Sequence, residues 1–137
     1  MRFLGHVDLA VAEGIADGVS AAAPRAFDVG LGGLGSFQRG RMARVVWLGL
    51  AEGVGQIGEL VARVEGESVR AGLAPEGRKF HAHLTLARAR DRDGAPLPEL
   101  PEPPTLASWK ATELILYRSH LGRAGSTYEK LRTIRLR

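Results

Sequence analysis

The chain has no cysteine among its 137 residues. A disulfide framework and a thiolate metal site are therefore excluded, and we expect a reducing, cytoplasmic environment. No apolar run approaches the roughly 18 residues that a membrane-spanning helix needs, so we expect no membrane partner. Apolar residues make up 45% and charged residues 25% of the chain, which is typical of a folded domain. We predict a single domain over residues 1–137 and expect a monomer.

Lysine is also scarce, because sixteen of the nineteen basic residues are arginine, and the net charge is +4. Arginine can bind a phosphate group through two parallel hydrogen bonds, whereas lysine acts as a point charge. Between Arg118 and Arg137 there are six basic residues and one acidic residue. This segment either attracts a polyanion or is an ordinary solvated face.

Hydrophobic spacing and turn residues predict an α+β fold without an internal repeat. Asp8 is a candidate N-cap for a first helix. We predict, in chain order, a strand at 2–7, a helix from Asp8, strands at 26–34 and 44–50, a helix at 55–71, a strand at 79–88, a proline-rich loop at 89–105, and strands at 109–117 and 127–136. Two tryptophans, Trp47 and Trp109, are predicted to pack in the core.

The segment Lys79–Arg88 carries the residues best suited to chemistry. Alternate residues of a strand share a face, so His83 and Thr85 are predicted to lie side by side while Leu84 and Leu86 point into the core. An imidazole can take or give a proton at neutral pH, and a threonine hydroxyl can donate to a phosphoryl oxygen. The pattern His-x-Thr alone is weak, since a strand histidine bonded to the backbone is commoner than a catalytic one.

Four segments give this pattern a context. They read FLG at 3–5, RVVWLGL at 44–50, FHAHLTLAR at 80–88, and a closing stretch from Leu116 that contains Ser119, Leu121, Gly125 and Tyr128. In this order they resemble the 2′-5′ RNA ligase and RNA 2′,3′-cyclic phosphodiesterase family of two-histidine (2H) phosphoesterases. The resemblance implies a two-lobed α+β fold in which antiparallel sheets are flanked by helices.

The chain departs from this family at its beginning. Family members carry two His-x-Thr-x motifs, the first typically reading HLTLRFLG, and on that alignment Met1 takes the last position of the first motif. The first histidine and threonine would then lie upstream of Met1, and we expect one lobe to be incomplete at its N-terminus. A misassigned start, a shortened fragment and a biological form of the protein are all consistent with this.

The resemblance also implies a reaction. One histidine acts as base and the other as acid, and a 2′,3′-cyclic phosphate on an RNA end or a small nucleotide opens to a 2′-phosphate without a metal or cofactor. 2′-5′ RNA ligase activity is a further expectation. Carried onto this sequence, His83 is the general acid or base and Thr85 binds the phosphate.

Three further residues are weaker candidates for substrate binding. His81 shares the face of His83, but both imidazoles would approach a phosphate from one strand. Arg88 suits a phosphate contact, although strict alternation assigns it to the face of Leu84 and Leu86 unless the strand twists or ends there. Tyr128 either stacks on a base or packs between the last strands.

Two rival functions remain. The glycines of 30–35 match G-x-G-x-x-G, yet the sequence that follows predicts a strand and not the helix that a dinucleotide site requires. A noncatalytic RNA-binding or nucleotide-binding domain is the stronger rival, because only one catalytic histidine is present.

Overall fold

The computed structural model describes residues 2–97, 99–103, 105–123 and 125–137. Over these residues the chain is α+β, as predicted, and its helices and strands are α1 (Leu9–Ala21), β1 (Phe27–Arg39), β2 (Met42–Glu52), α2 (Val54–Arg70), β3 (His83–Arg88), β4 (Ala95–Pro96), β5 (Trp109–Ala111), β6 (Glu113–Gly122) and β7 (Gly125–Arg135). Neither helix is long and apolar enough to cross a membrane. Met1, which the alignment set on the first motif, lies outside the described residues, as do Pro98 and Pro104 of the predicted loop.

The chain divides into two compact units. The first unit contains α1, most of α2, and the antiparallel pair β6–β7; the second contains β1 to β5 and is built from Asp28–Ile57 and Phe80–Lys110. Antiparallel sheets with helices were predicted, and both sheets are antiparallel in the pairings described.

The core of the first unit forms where the helices cover one face of the β6–β7 sheet. The residues that share this core are Ile15, Ala16, Val19, Ala23, Val64 and Ile134. Val11, Ile15 and Val19 recur at the spacing of four residues that places side chains on one helix face, which is why the sequence identified α1. Beside this core, Arg132 of β7 donates to Glu13 and Asp17 of α1. These hydrogen bonds raise the pKa of the Arg132 guanidinium.

The second unit is a sheet with the strand order β3-β2-β1-β5, in which β4 pairs with one end of β2. β1 and β2 form a hairpin, and its turn uses Gly40 at a φ of 61°, a left-handed conformation that favours glycine. β3 pairs with β2 and lies at the edge of the described sheet. The strand that carries the sequence motif is therefore an edge strand.

Several predicted elements are wrong in detail. Residues 2–7 form no strand; the Arg2 guanidinium instead fixes this segment by donating to the Glu65 carboxylate and to the carbonyl oxygen of Ala74. The predicted loop at 89–105 contains the short strand β4. The single strand predicted at 109–117 is two strands, because Thr112 separates β5, which pairs with β1, from β6, which pairs with β7.

Candidate active site

His83 and Thr85 lie on one face of the second unit's sheet, as predicted. β3 begins at His83, which pairs with Gly49 of β2, and Thr85 pairs with Trp47. Directly paired residues of neighbouring strands project to the same side of a sheet. The face that carries His83, Thr85 and Trp47 is called the histidine face below.

A β-bulge in β3 adds Arg88 to this face. Thr85 pairs with Trp47, but the next pair is Ala87 with Val46, so Leu86 is an extra residue without a partner on β2. An extra residue reverses the alternation of the strand beyond it. Arg88, paired with Val45, therefore projects on the histidine face, and its assignment to the leucine face was wrong because strict alternation does not hold across the bulge.

The two leucines of β3 are not in the core. Leu84 is 50% exposed and Leu86 is 53% exposed, which contradicts the predicted burial. Leu84 belongs to an edge strand that no described strand covers on its outer side, and Leu86 is the unpaired residue of the bulge. The leucines therefore pack only partly, while Leu48 on the adjacent strand is buried.

The imidazole of His83 is oriented by its own backbone. Its Nδ1 lies 2.7 Å from the carbonyl oxygen of His81. A carbonyl oxygen can only accept a hydrogen bond, so Nδ1 donates to it, and in the neutral imidazole Nε2 is the nitrogen with the lone pair. His83 is exposed, so its Nε2 can exchange a proton with a ligand or with solvent.

Aromatic rings surround this imidazole on the histidine face. Phe37 of β1 meets His83 edge to face, with ring centroids 4.9 Å apart and an interplanar angle of 88°. The Trp47 ring lies 4.7 Å from that of His81, and the Phe37 and Trp47 rings are 5.5 Å apart. Phe37, Trp47 and His81 are called the aromatic wall below. The wall limits the orientations that the His83 ring can adopt.

The Trp47 ring of the aromatic wall packs against a glycine. Gly35 pairs with Trp47, and a Cβ atom at Gly35 would overlap the Cη2 and Cζ2 atoms of the indole. The benzene ring of Trp47 therefore occupies the space that a side chain at residue 35 would take. Neither Gly35 nor Phe37 was a candidate from the sequence, because their position depends on the β1–β2 register.

The remaining candidates lie elsewhere. The Tyr128 side chain is on β7 of the first unit and is 67% exposed, so it does not pack into a core between the last strands. Trp109, on the three-residue strand β5, was predicted in the core but is 49% exposed. The glycines of 30–35 lie within β1 and lead into β2, so the helix that a dinucleotide fingerprint requires is absent there.

The sequence profile of the 2′-5′ RNA ligase superfamily matches residues 3–123. The chain belongs to this superfamily. An RNA 2′,3′-cyclic phosphodiesterase of Aeropyrum pernix is 32% identical over 136 residues, which cover 96% of this chain and 77% of that protein. An RNA 2′,3′-cyclic phosphodiesterase of Methanothermobacter thermautotrophicus is 33% identical over 115 residues, which cover 80% of this chain and 61% of that protein.

Solved structures agree with this assignment. Escherichia coli LigT complexed with 3′-AMP superposes with a TM-score of 0.83 at 27% identity, over 98% of this chain and 74% of that one. TT0787 of Thermus thermophilus superposes with a TM-score of 0.72 at 29% identity, also over 98% of this chain and 74% of that one. The chain thus has the 2H phosphoesterase fold that the sequence predicted.

Proposed function

We propose that the histidine face binds a 2′,3′-cyclic phosphate at an RNA end or on a small nucleotide and opens it to a 2′-phosphate. The observation that carries this proposal is that His83, Thr85 and Arg88 share one sheet face, with Nε2 of His83 free. Membership of the superfamily and relatives named RNA 2′,3′-cyclic phosphodiesterase support it.

The reaction requires two proton transfers. A water oxygen attacks the phosphorus atom, the bond from phosphorus to O3′ breaks, a base takes the proton of the water, and an acid protonates O3′. Nε2 of His83 is suited to one of these transfers, since Nδ1 already donates to the carbonyl oxygen of His81. If the 5′-hydroxyl of a second RNA replaces the water, the same bond changes give a 2′-5′ phosphodiester.

Thr85 and Arg88 suit the phosphate. The threonine hydroxyl can donate to a nonbridging oxygen, and the guanidinium can form two parallel hydrogen bonds to one phosphate. Charge builds up on these oxygens as the water attacks, so donors fixed on a strand stabilise the transition state more than the ground state. Both residues are held by the β2–β3 pairing.

A second proton-transfer group has to stand on the opposite side of the phosphorus for an in-line displacement. Within the described part of the second unit the other imidazole is His81, whose ring centroid is 5.8 Å from that of His83 and which precedes the same strand. His81 therefore does not meet this requirement. We expect residues 1–137 to turn over slowly, about 10²- to 10⁴-fold below a protein with both groups.

The test is hydrolysis of a 2′,3′-cyclic nucleotide and of a short RNA with a cyclic phosphate end, with a chelator present. Chain 1–137 is compared with a form that carries the N-terminal segment of the Aeropyrum pernix relative. We expect the extended form to be faster, His83→Ala to lower its kcat by about 10²- to 10⁴-fold, and Thr85→Val by about 10²-fold, with Thr85→Ser largely active. His6→Ala is the matched control, because His6 is also exposed and lies in the first unit.

The alternative is a noncatalytic RNA-binding or nucleotide-binding domain. It is favoured by the single suitable imidazole on the histidine face. In that case both forms are inert, and His83→Ala changes only the affinity for the cyclic-phosphate RNA. Loss of turnover without loss of affinity in His83→Ala excludes the alternative.

A further inference from the structure

A β-bulge in β7 brings the chain's two tyrosines to one face of the β6–β7 sheet. Leu116 pairs with Arg132, but the next pair is Tyr117 with Lys130, so Leu131 is an extra residue in β7. The Arg132 side chain points to α1, where it meets Glu13 and Asp17. Strict alternation from Arg132 would turn residues 130 and 128 to α1 as well. The bulge sends them to the opposite face instead.

The rings of Tyr117 and Tyr128 meet on this face. Their centroids are 6.3 Å apart at an interplanar angle of 75°, and the residues are 49% and 67% exposed. In an edge-to-face pair the broad face of one ring is not covered by the other ring. The residue paired with Tyr128 on this face is Ser119, whose side chain is small. This face of the β6–β7 sheet is called the tyrosine face below.

Charge on the tyrosine face is positive. Glu129 alternates to the other side of the strand, where it accepts from Arg118 and from His120. Beside the tyrosines this face carries Lys130 and, in the described residues, no carboxylate. At the far end of the sheet Glu113 lies on the same face, paired with Arg135. Two exposed aromatic rings beside an ammonium group match the two parts of a nucleotide, a flat base and a phosphate.

We infer that the tyrosine face binds an unpaired base of single-stranded RNA by stacking on Tyr117 or Tyr128, with Lys130 on an adjacent phosphate. The inference rests on the proposed function for the choice of RNA as the ligand. Stacking is accessible to a single strand and not to a base inside a duplex, whose faces are covered by its neighbours. The tyrosine face therefore selects single-stranded RNA and contributes affinity independently of the phosphate chemistry.

The experiment measures binding of a five-nucleotide RNA by fluorescence anisotropy, with the same sequence as a blunt duplex for comparison. We expect Tyr117→Leu or Tyr128→Leu to weaken single-strand binding by about five- to a hundredfold, and the corresponding Phe variants to bind like the parent chain. Lys130→Gln should make the slope of log K against log salt concentration shallower by about 0.7, the value for one phosphate contact on a single strand. Trp109→Leu, which removes a ring of β5 that is 49% exposed, as Tyr117 is, and that lies outside the tyrosine face, is the matched control.

Photocross-linking locates the base without any variant. RNA containing 5-iodouridine is irradiated on the parent chain, and mass spectrometry identifies the residue attached; we expect Tyr117 or Tyr128. Cross-links elsewhere together with unchanged affinity of the Leu variants overturn the inference, as does tighter binding of the duplex.

The two proposals fail separately. If turnover depends on His83 but the tyrosine variants have no effect, the proposed function stands and the RNA-binding role of the tyrosine face is refuted. If binding depends on the tyrosines but the extended form does not turn over, the tyrosine face stands and the proposed function is refuted.

Discussion

Replacing Gly35 by alanine is expected to displace the indole of Trp47. A Cβ atom at this position would overlap two carbon atoms of the indole and would lie 2.8 Å from a third, Cζ3. Carbon atoms in contact are normally about 3.5 Å apart or more, so the ring has to withdraw by roughly 1 Å. The opposing backbone pair, Gly35 with Trp47, is in the interior of the hairpin and cannot easily give way.

The magnitude follows from overpacking. Forcing extra volume against a packed side chain costs about 1 to 3 kcal/mol, which for a chain of this size lowers Tm by about 3 to 12 °C. The displaced ring contacts His81, whose carbonyl oxygen accepts from Nδ1 of His83. We therefore expect a lower kcat in the extended form as well as lower stability.

A double-mutant cycle isolates this contact. Leucine at residue 47 lacks the benzene ring that the new methyl group would meet, so in a Trp47→Leu background Gly35→Ala should cost less than about 0.5 kcal/mol. Thermal and urea unfolding measure all four chains. Gly77→Ala is the control, because its Cβ would meet nothing within 4 Å. An equal cost of Gly35→Ala in both backgrounds refutes the reasoning.

Three further substitutions test other parts of the structure. Gly14→Ala, at an exposed and open position inside α1, should raise stability by about 0.5 to 1 kcal/mol and Tm by about 2 to 4 °C; a lower Tm would contradict this. Gly94→Ala should destabilise by more than about 1 kcal/mol in urea unfolding, because φ is +98° and the Cβ would lie 2.8 Å from the carbonyl oxygen of Ala43. Hydrogen bonds from Arg78 lower the pKa of Glu76, so this pair stabilises the fold above the ordinary glutamate pKa and loses that contribution as pH falls through the lowered value. On acidification, Tm should therefore fall less in Glu76→Gln than in the parent chain. Identical profiles of Tm against pH in the two proteins would exclude a role for the pair.

The helices and the motif were accessible from the sequence because each depends on local spacing. Apolar residues four apart identified α1, and Gly72, two residues beyond the end of α2, has a φ of 90°, a left-handed conformation that favours glycine after a helix. The two-residue repeat of a strand placed His83 and Thr85 on one face.

The rest depends on register, which local spacing does not determine. The extra residues Leu86 and Leu131 each reverse the alternation of their strand, and so the sequence assigned Arg88 to the wrong face and gave no reason to pair the tyrosines. One of the three shifts between β1 and β2 falls at Arg44, so counting back from the hairpin turn gives Phe37 the wrong partner. A bulge inserts a residue of ordinary type, and its position is set by pairing with another strand.

The edge position of β3 has a consequence for solubility. Its outer side is not paired with any described strand, and Leu84 and Leu86 are half exposed beside it. Unpaired main-chain groups next to apolar side chains are a template for strands of other molecules, and proteins usually protect such edges with charge or proline. His83 and Thr85, on the opposite face, cannot be replaced by charged residues or proline to protect this edge, because the proposed function requires both. We therefore expect aggregation to begin at the strand that carries the motif. Leu84→Lys or Leu86→Lys should suppress aggregation without changing the histidine face.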